Sequence, residues 1–255
     1  MERTIFMLKD KSPIVYSYES LPELRFEMKL RTKIVETAHA LLRSNSAFAT
    51  FEKSKCNPMF WNLTEYGGFK LRSGVLPSTA IRDIFTNGSL YAFECATAKV
   101  IVLYKAVLDS IGEYSFNRYF TDLLLWDWNY DKDLRLTTIN TTRESYPGDI
   151  LYFKNPDVNP DTTEWQGENV VKLDDNLYYG HGIGITNANG IIAALNKHRK
   201  PNSTQSAYLM DQVTYLDFKY LYHLSADNGA ESIPRYNSNF ISAKIGFSRY
   251  VRVFE

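Results

Sequence analysis

The chain has 255 residues, with 29 Lys and Arg against 29 Asp and Glu, so its formal charge at pH 7 is zero. This balance argues against a dedicated nucleic-acid-binding protein, which needs a surplus of Lys and Arg on one face. The two cysteines, Cys56 and Cys95, are too few for a disulfide framework or a four-thiolate zinc site. No segment has the pattern of a signal peptide or a membrane span. We therefore expect a protein made in the cytoplasm, with neither nucleic acid nor membrane as a partner.

The first half of the chain is predicted to be mainly helical. Apolar periodicity and turn residues predict a helix over 22–44 with Ser20 as its N-cap, a hairpin over 60–71 and a helix over 77–85. The segment from Ala96 to Leu108 is apolar on nearly every side, which is typical of a buried helix. This helix is expected to end at Gly112 and to carry Cys95 at or within its first turn.

The second half of the chain is predicted to be mainly strands. Strands are expected over 150–153, 168–173, 177–185 and 206–213, with one helix over 191–198. Because helices come first and strands follow, we predict an α+β fold in which a central helix packs on an antiparallel sheet. No repeat or linker divides the sequence, and we predict one domain over residues 1–255.

Cys95 is the sharpest chemical feature of the sequence. A thiol at a helix N-terminus lies beside the positive end of the helix dipole and beside backbone N–H groups, both of which favour the thiolate. The same N–H groups are also expected to help form an oxyanion hole. A small buried hydrophobic role is the structural alternative, and it is the one we expect for Cys56.

Three residues are candidates for moving the proton of a cysteine nucleophile. His181 is predicted to lie in a strand flanked by glycines, and Glu168 heads a strand expected to pair with it. Both side chains would then face the helix tip that carries Cys95. Glu94 precedes the cysteine and is expected either to act as a base or to cap the helix. The residue pattern leaves the choice among the three open, and it contains no metal-ligand cluster or cofactor motif.

Aromatic residues are unusually frequent, at 15% of the chain. Trp128 and Trp165 are predicted to help wall a channel around the thiol, with Asp127 beside them as a third substrate-binding residue. Ordinary core packing is the alternative for the tryptophans.

Several motifs, taken in chain order, resemble the protein-glutamine gamma-glutamyltransferases of spore-forming bacilli. The resemblance extends over roughly residues 20–222 and rests on Phe93-Glu94-Cys95-Ala96-Thr97-Ala98, Pro77–Ile84, Gly148–Pro156, Trp165–Asn169, Tyr179–Ile185 and Gln205–Leu209. It implies a papain-like core and calcium-independent crosslinking of spore-coat proteins through their glutamine and lysine side chains, without a cofactor. Cys95 would be the nucleophile, with Glu168 and Glu94 as catalytic partners and His181 close by. Residues from about 224 to 255 look like a variable extension.

Two other functions remain open from the sequence. The same core and cysteine suit a papain-like endopeptidase acting on cell-wall peptide, with His181 as its base. A structural coat protein with an idle cysteine is the non-enzymatic alternative. Protein substrates bearing glutamine and lysine, and a final location in the spore coat after synthesis in the mother cell, follow from the resemblance alone.

Overall fold

The computed structural model describes residues 1–141, 145–226, 240–245 and 248–253. The described residues form seven α-helices: α1 Glu2–Lys11, α2 Leu21–Arg43, α3 Pro77–Thr86, α4 Cys95–Ile111, α5 Glu113–Tyr119, α6 Ala188–Asn196 and α7 Phe218–Ala226. The strands of the first half are short: β1 Ala47–Phe48, β2 Trp61–Leu63, β3 Phe69–Leu71, β4 Ala92–Phe93, β5 Leu124–Leu125 and β6 Thr137–Ile139. Those that follow are β7 Ile150–Lys154, β8 Gly167–Asp174, β9 Leu177–Gly180, β10 Gly184–Thr186, β11 Tyr208–Tyr215, β12 Phe240–Ile245 and β13 Ser248–Val253.

Among the described residues the largest sheet has six strands in the order β10-β9-β8-β7-β11-β6, and all neighbouring strands in it are antiparallel. Strands β2, β3 and β5 form a separate antiparallel sheet, whereas β1 and β4 make a short parallel pair. Strands β12 and β13 pair with each other as a hairpin. The α+β class is confirmed.

Helix α4 is the centre of the hydrophobic core. It packs against the helices α2, α3, α5 and α7 and against strand β8 of the large sheet. Nearly all of its residues are buried, including Val100, Ile101, Val102 and Leu103. A helix that is apolar all round is stable only when neighbours cover every face. The predicted central helix packed on an antiparallel sheet is therefore confirmed, with Cys95 as its first residue.

Most predicted elements are present with ends shifted by a few residues. Helix α2 has its N-cap at Ser20, whose side chain accepts a hydrogen bond from the N–H of Glu23. The hairpin, α3, α6, β7, β8 and β11 also lie where the pattern predicts them. The sequence analysis did not identify α1, α5, α7 or the two-residue strands, and a strand of two residues is too short to show an alternating pattern. Residues 227–239, 246–247 and 254–255 of the predicted extension lie outside the described residues.

The expected strand through His181 is wrong in one respect. Strand β9 ends at Gly180, and His181 is the first residue of the turn that leads to β10. Gly182 within this turn has φ +95°, a backbone conformation that side-chain-bearing residues rarely adopt. The pairing of the Glu168 strand with β9 is confirmed, since Val170 lies opposite Gly180. His181 thus follows directly from the strand that neighbours Glu168.

A buried ion network ties α1 and α2 to the turn before β7. The carboxylate of Glu27 accepts hydrogen bonds from Lys9 Nζ at 2.5 Å and from Arg31 Nε at 2.8 Å. Arg31 Nη1 also contacts Asp149 Oδ1 at 2.6 Å, and all four side chains are buried. Burial opposes ionisation of Glu27, but the charges of Arg31 and Lys9 outweigh it and lower its pKa to about 2.

Removal of one carboxylate from this network is expected to cost much more stability than removal of a surface partner. Asp149 is 1% exposed, so Asp149→Ala leaves the Arg31 charge buried without this partner and should lower the free energy of unfolding by about 3–5 kcal/mol. The matched control is Asp122→Ala, which breaks the exposed Lys70–Asp122 pair and should cost about 0–1 kcal/mol. Urea unfolding of both variants measures the difference, and equal losses would contradict the prediction.

Candidate active site

Cys95 lies at the point where β4 meets α4, with its side chain almost fully buried. The parallel pairing of β4 with β1 places Phe48 beside Phe93, two residues before the thiol. The side-chain amide of Asn169 on β8 donates a hydrogen bond to Cys95 Sγ at 3.6 Å. The sheet and the start of the central helix therefore meet at the sulfur.

Glu94 caps the helix. Its Oε2 accepts a hydrogen bond from the N–H of Ala96 at 2.6 Å, and its Oε1 accepts one from the N–H of Thr97 at 2.5 Å. A negatively charged N-cap satisfies unpaired backbone donors and offsets the positive end of the helix dipole. Of the two roles left open by the sequence, the geometry supports the cap.

The expected thiolate at the helix tip is not favoured in the resting protein. Burial raises the pKa of the Cys95 thiol, and the negative charges of Glu168 and Glu94 raise it further. A hydrogen bond from Asn169 and the charge of Lys99 oppose these effects but do not outweigh them. Burial and these two negative charges therefore outweigh the helix dipole that was expected to favour the thiolate, and Glu94 occupies the N–H groups of Ala96 and Thr97.

Glu168 is buried on β8, next to Asn169, and is 1% exposed. Burial raises the pKa of its carboxyl to about 8, although the Lys99 charge and the backbone N–H of His181 favour the ionised form. Its Oε1 atom has no hydrogen-bond partner among the described residues. A Cβ at Gly180 would lie 3.1 Å from this oxygen, so the glycine leaves room for the carboxyl group. Glu168 is thus a buried carboxyl that can exchange a proton near neutral pH.

His181 is held away from proton transfer with Cys95. Its Nε2 donates to the carbonyl oxygen of Ala47 at 3.1 Å, and its Nδ1 accepts from the hydroxyl of Tyr179 at 3.0 Å. Burial and the Lys99 charge lower the pKa of the imidazole to about 3, so the ring is neutral at ordinary pH. The ring also stacks on Phe93, with centroids 4.7 Å apart. His181 therefore packs beside the β4–α4 junction without a hydrogen bond to the sulfur.

Asp127 and Trp128 line a cavity of about 500 Å³ that also reaches Asn169. Tyr152, which lies opposite Asn169 in the sheet, contributes to the same wall. Burial raises the pKa of the Tyr152 hydroxyl to about 12, and the charges of Cys95 and Glu168 add to this effect. Two of the three predicted substrate-binding residues therefore lie in the cavity that adjoins the cysteine.

Trp165 is placed apart from that cavity. Its ring stacks on His198 with centroids 4.2 Å apart, and it also packs on Phe48 at 5.5 Å. Phe48 in turn lies 6.2 Å from the His181 ring. Trp165 is thus connected to the site through Phe48 and His181, whereas Trp128 lines the cavity beside Asn169.

Three residues beside the thiol were not singled out from the sequence: Asn169, Tyr152 and Lys99. Asn169 and Tyr152 belong to motifs that carry the family resemblance, but only the pairing of β7 with β8 brings them together. Lys99 lies one helical turn after Cys95, a spacing that places both on one face of α4. This spacing could have identified Lys99 from the sequence, but the segment was interpreted only as an apolar, buried helix.

The described residues contain no group of three or more His, Cys, Asp and Glu side chains placed to hold a metal ion. Within the same part of the chain, no helix is both long and apolar enough to cross a lipid bilayer.

Comparison with known proteins agrees with this geometry. Residues 1–225 match the family described as protein-glutamine gamma-glutamyltransferase. A family member from Bacillus mycoides (strain KBAB4) is 47% identical over 214 residues, covering 84% of this chain and 77% of its own length. One from Bacillus cereus (strain G9842) is 45% identical over 227 residues, covering 89% and 80%.

A solved structure supports the same assignment. The transglutaminase from Geobacillus stearothermophilus, without its C-terminal extension, superimposes with a TM-score of 0.77 and 54% sequence identity. The match covers 80% of this chain and 98% of the solved one. The chain belongs to the protein-glutamine gamma-glutamyltransferase family, and it is an acyltransferase of the transglutaminase class.

Proposed function

We propose that Cys95 is the nucleophile and Glu168 the general base of the transfer reaction. The observation that supports this pairing is the burial of both groups at the junction of α4 and β8, close enough for the Glu168 charge to raise the pKa of the thiol. A buried thiol needs an adjacent base to become a nucleophile. Glu168 has a free carboxyl oxygen for this purpose among the described contacts, whereas both oxygens of Glu94 are engaged as a helix cap.

The first half-reaction forms a thioester. The proton of Cys95 Sγ moves to the Glu168 carboxylate as sulfur bonds to the carboxamide carbon of a protein glutamine. The resulting tetrahedral intermediate loses its amine, which takes the proton from Glu168 and leaves as ammonia. We assign the oxyanion to the backbone N–H of Cys95 and the side-chain amide of Asn169, the latter being in hydrogen-bond contact with Sγ.

The second half-reaction transfers the acyl group to lysine. A neutral lysine amine attacks the thioester carbon and gives one proton to Glu168 as the carbon–sulfur bond breaks. The departing sulfur takes that proton, which restores the thiol and the carboxylate and leaves an Nε-(γ-glutamyl)lysine bond. The role of His181 is to hold the backbone beside Phe93 and Ala47 rather than to move protons.

The cavity beside Asn169 is proposed to receive substrate. The carboxylate of Asp127 offers a counter-charge to an approaching lysine ammonium, and the Trp128 ring offers an apolar wall for its methylene groups. We propose that Trp165 contacts substrate outside this cavity, where its ring packs on Phe48. Aromatic walls also limit water near the thioester, which favours attack by an amine over hydrolysis.

Spore-coat proteins are the proposed physiological substrates, with the enzyme made in the mother-cell cytoplasm and ending in the coat. The support for this proposal is the resemblance to enzymes of spore-forming bacilli together with relatives from Bacillus. Immunogold labelling of sporulating cells tests it. Label confined to vegetative cytoplasm would contradict it.

A direct test of the reaction uses casein with a fluorescent amine and, in parallel, peptidoglycan fragments. We expect amine incorporation into casein and a mass adduct on Cys95 equal to a glutamine peptide minus ammonia when no amine is supplied. Cleavage of the peptidoglycan peptide without amine transfer would favour the papain-like endopeptidase instead. Absence of both activities, with Cys95 unreactive towards iodoacetamide, would favour a structural coat protein.

A further inference from the structure

Lys99 is a fully buried lysine that none of the steps above uses. It lies on α4 four residues after Cys95, and its side chain is 0% exposed. Transfer of an ammonium group out of water is costly unless other charges or dipoles compensate for it. Replacement by an apolar side chain would fit a core position equally well, so the presence of lysine calls for a functional explanation.

The ammonium of Lys99 has no conventional partner. Among the described residues its Nζ donates no hydrogen bond and forms no ion pair within 4.0 Å. The Nζ lies over the face of the Tyr179 ring, 4.4 Å from the centroid. Such a cation–π contact compensates for part of the hydration free energy that the ammonium loses on burial. Tyr179 is itself tied to the site, because its hydroxyl donates to His181 Nδ1.

The carboxyl group of Glu168 also has a buried atom without a hydrogen-bond partner in the described part of the chain. Its Oε1 is buried and also lacks a described partner, so a cation and a carboxyl oxygen without hydrogen bonds lie in the same interior region. Burial lowers the pKa of Lys99, and the negative charges of Glu168, Cys95 and Glu94 act against this effect by favouring the ammonium form. His181 is neutral and adds no competing charge. Lys99 therefore shares one buried region with the groups that exchange the catalytic proton: it lies one helical turn after Cys95, and the Tyr179 ring that its ammonium faces precedes Gly180, which packs on Glu168.

We propose that Lys99 is a positioning residue whose ammonium balances the single negative charge shared by Cys95 and Glu168. This inference rests on the proposed function of those two residues. Between them they hold one proton and one negative charge, located on Glu168 before proton transfer and on sulfur after it. A cation close to both groups stabilises the pair in either arrangement, and it favours this charge state over the doubly protonated, inactive one.

The test replaces Lys99 with methionine, which keeps the length of the side chain and removes its charge. Without the ammonium, the ionised Cys95–Glu168 pair is less stable relative to the doubly protonated pair. The pH at which kcat/KM for amine incorporation reaches half its maximum should therefore rise by about one pH unit, which corresponds to a tenfold change in ionisation. Alkylation of Cys95 by iodoacetamide, followed by peptide mass mapping, should slow roughly tenfold below that midpoint. The melting temperature should stay equal or rise, because a buried charge has been removed.

Two further variants separate an electrostatic role from a structural one. Lys105→Met is the matched control on the same helix, since Lys105 pairs with Asp109 nearer the surface, and it should leave the midpoint unchanged. Lys99→Arg retains a positive charge and should restore the wild-type midpoint. An unchanged midpoint in folded Lys99→Met would overturn the proposal. Failure of the proposed nucleophile would instead appear as activity in Cys95→Ala, whatever the Lys99 variants do.

Discussion

Cys95→Ala is expected to reduce amine incorporation to background, roughly 10⁴-fold or more below wild type, because the covalent route has no substitute nucleophile. The variant should fold normally, since it removes one sulfur atom from the start of α4 and leaves the Glu94 cap in place. Incorporation of a fluorescent amine into casein, measured beside circular dichroism, checks both points.

The matched control for that experiment is Cys56→Ala. Cys56 is half-buried, burial raises the pKa of its thiol to about 11, and it packs against the core rather than against Glu168. Its replacement should leave the rate close to that of wild type. Activity surviving in Cys95→Ala but lost in Cys56→Ala would reverse the assignment of the nucleophile.

Glu168→Gln is expected to lower kcat/KM by roughly 10²–10⁴-fold, which is the usual contribution of a general base. The carboxylate is the active form, and burial raises its pKa to about 8. The wild-type rate should therefore increase with pH to a plateau above that value, and this acid limb should be lost or displaced in the variant. Initial rates of hydroxylamine incorporation across the pH range measure both the loss and the shape.

Glu94→Gln is the comparison that decides between the two glutamates. Because Glu94 caps α4 through two backbone N–H groups, its amide variant should cost about 1 kcal/mol of stability and a smaller part of the activity. His181→Gln, which disturbs the contacts to Ala47 and Tyr179, should retain the pH midpoint. A Glu168→Gln enzyme near the wild-type rate, beside a Glu94→Gln enzyme with a large loss, would assign the base role to Glu94.

The pairing of β8 with β9 shows which parts of the site the local sequence could predict. The motif around Glu168 and the glycines around His181 predicted two neighbouring strands, and the structure pairs Val170 with Gly180. The turn at Gly182 then removes His181 from the strand and directs its ring nitrogens to Ala47 and Tyr179. Ala47 lies far from His181 in the sequence, and no periodicity connects the two. The single-domain prediction for residues 1–255 stays a prediction.

The sequence by itself determined the position of Cys95 at the start of a buried helix, because an apolar segment preceded by a capping residue is a local pattern. It also determined the family, through motifs that lie in chain order. Only the tertiary structure decided the protonation chemistry, since burial and the charges of Glu168, Glu94 and Lys99 converge on the thiol from separate elements. Burial, together with the charges of Glu168 and Glu94, outweighs the helix dipole on which the sequence prediction relied, and the pKa of Cys95 is raised rather than lowered. Electrostatic effects depend on distances between groups in three dimensions, and these are set when α4 packs on β8.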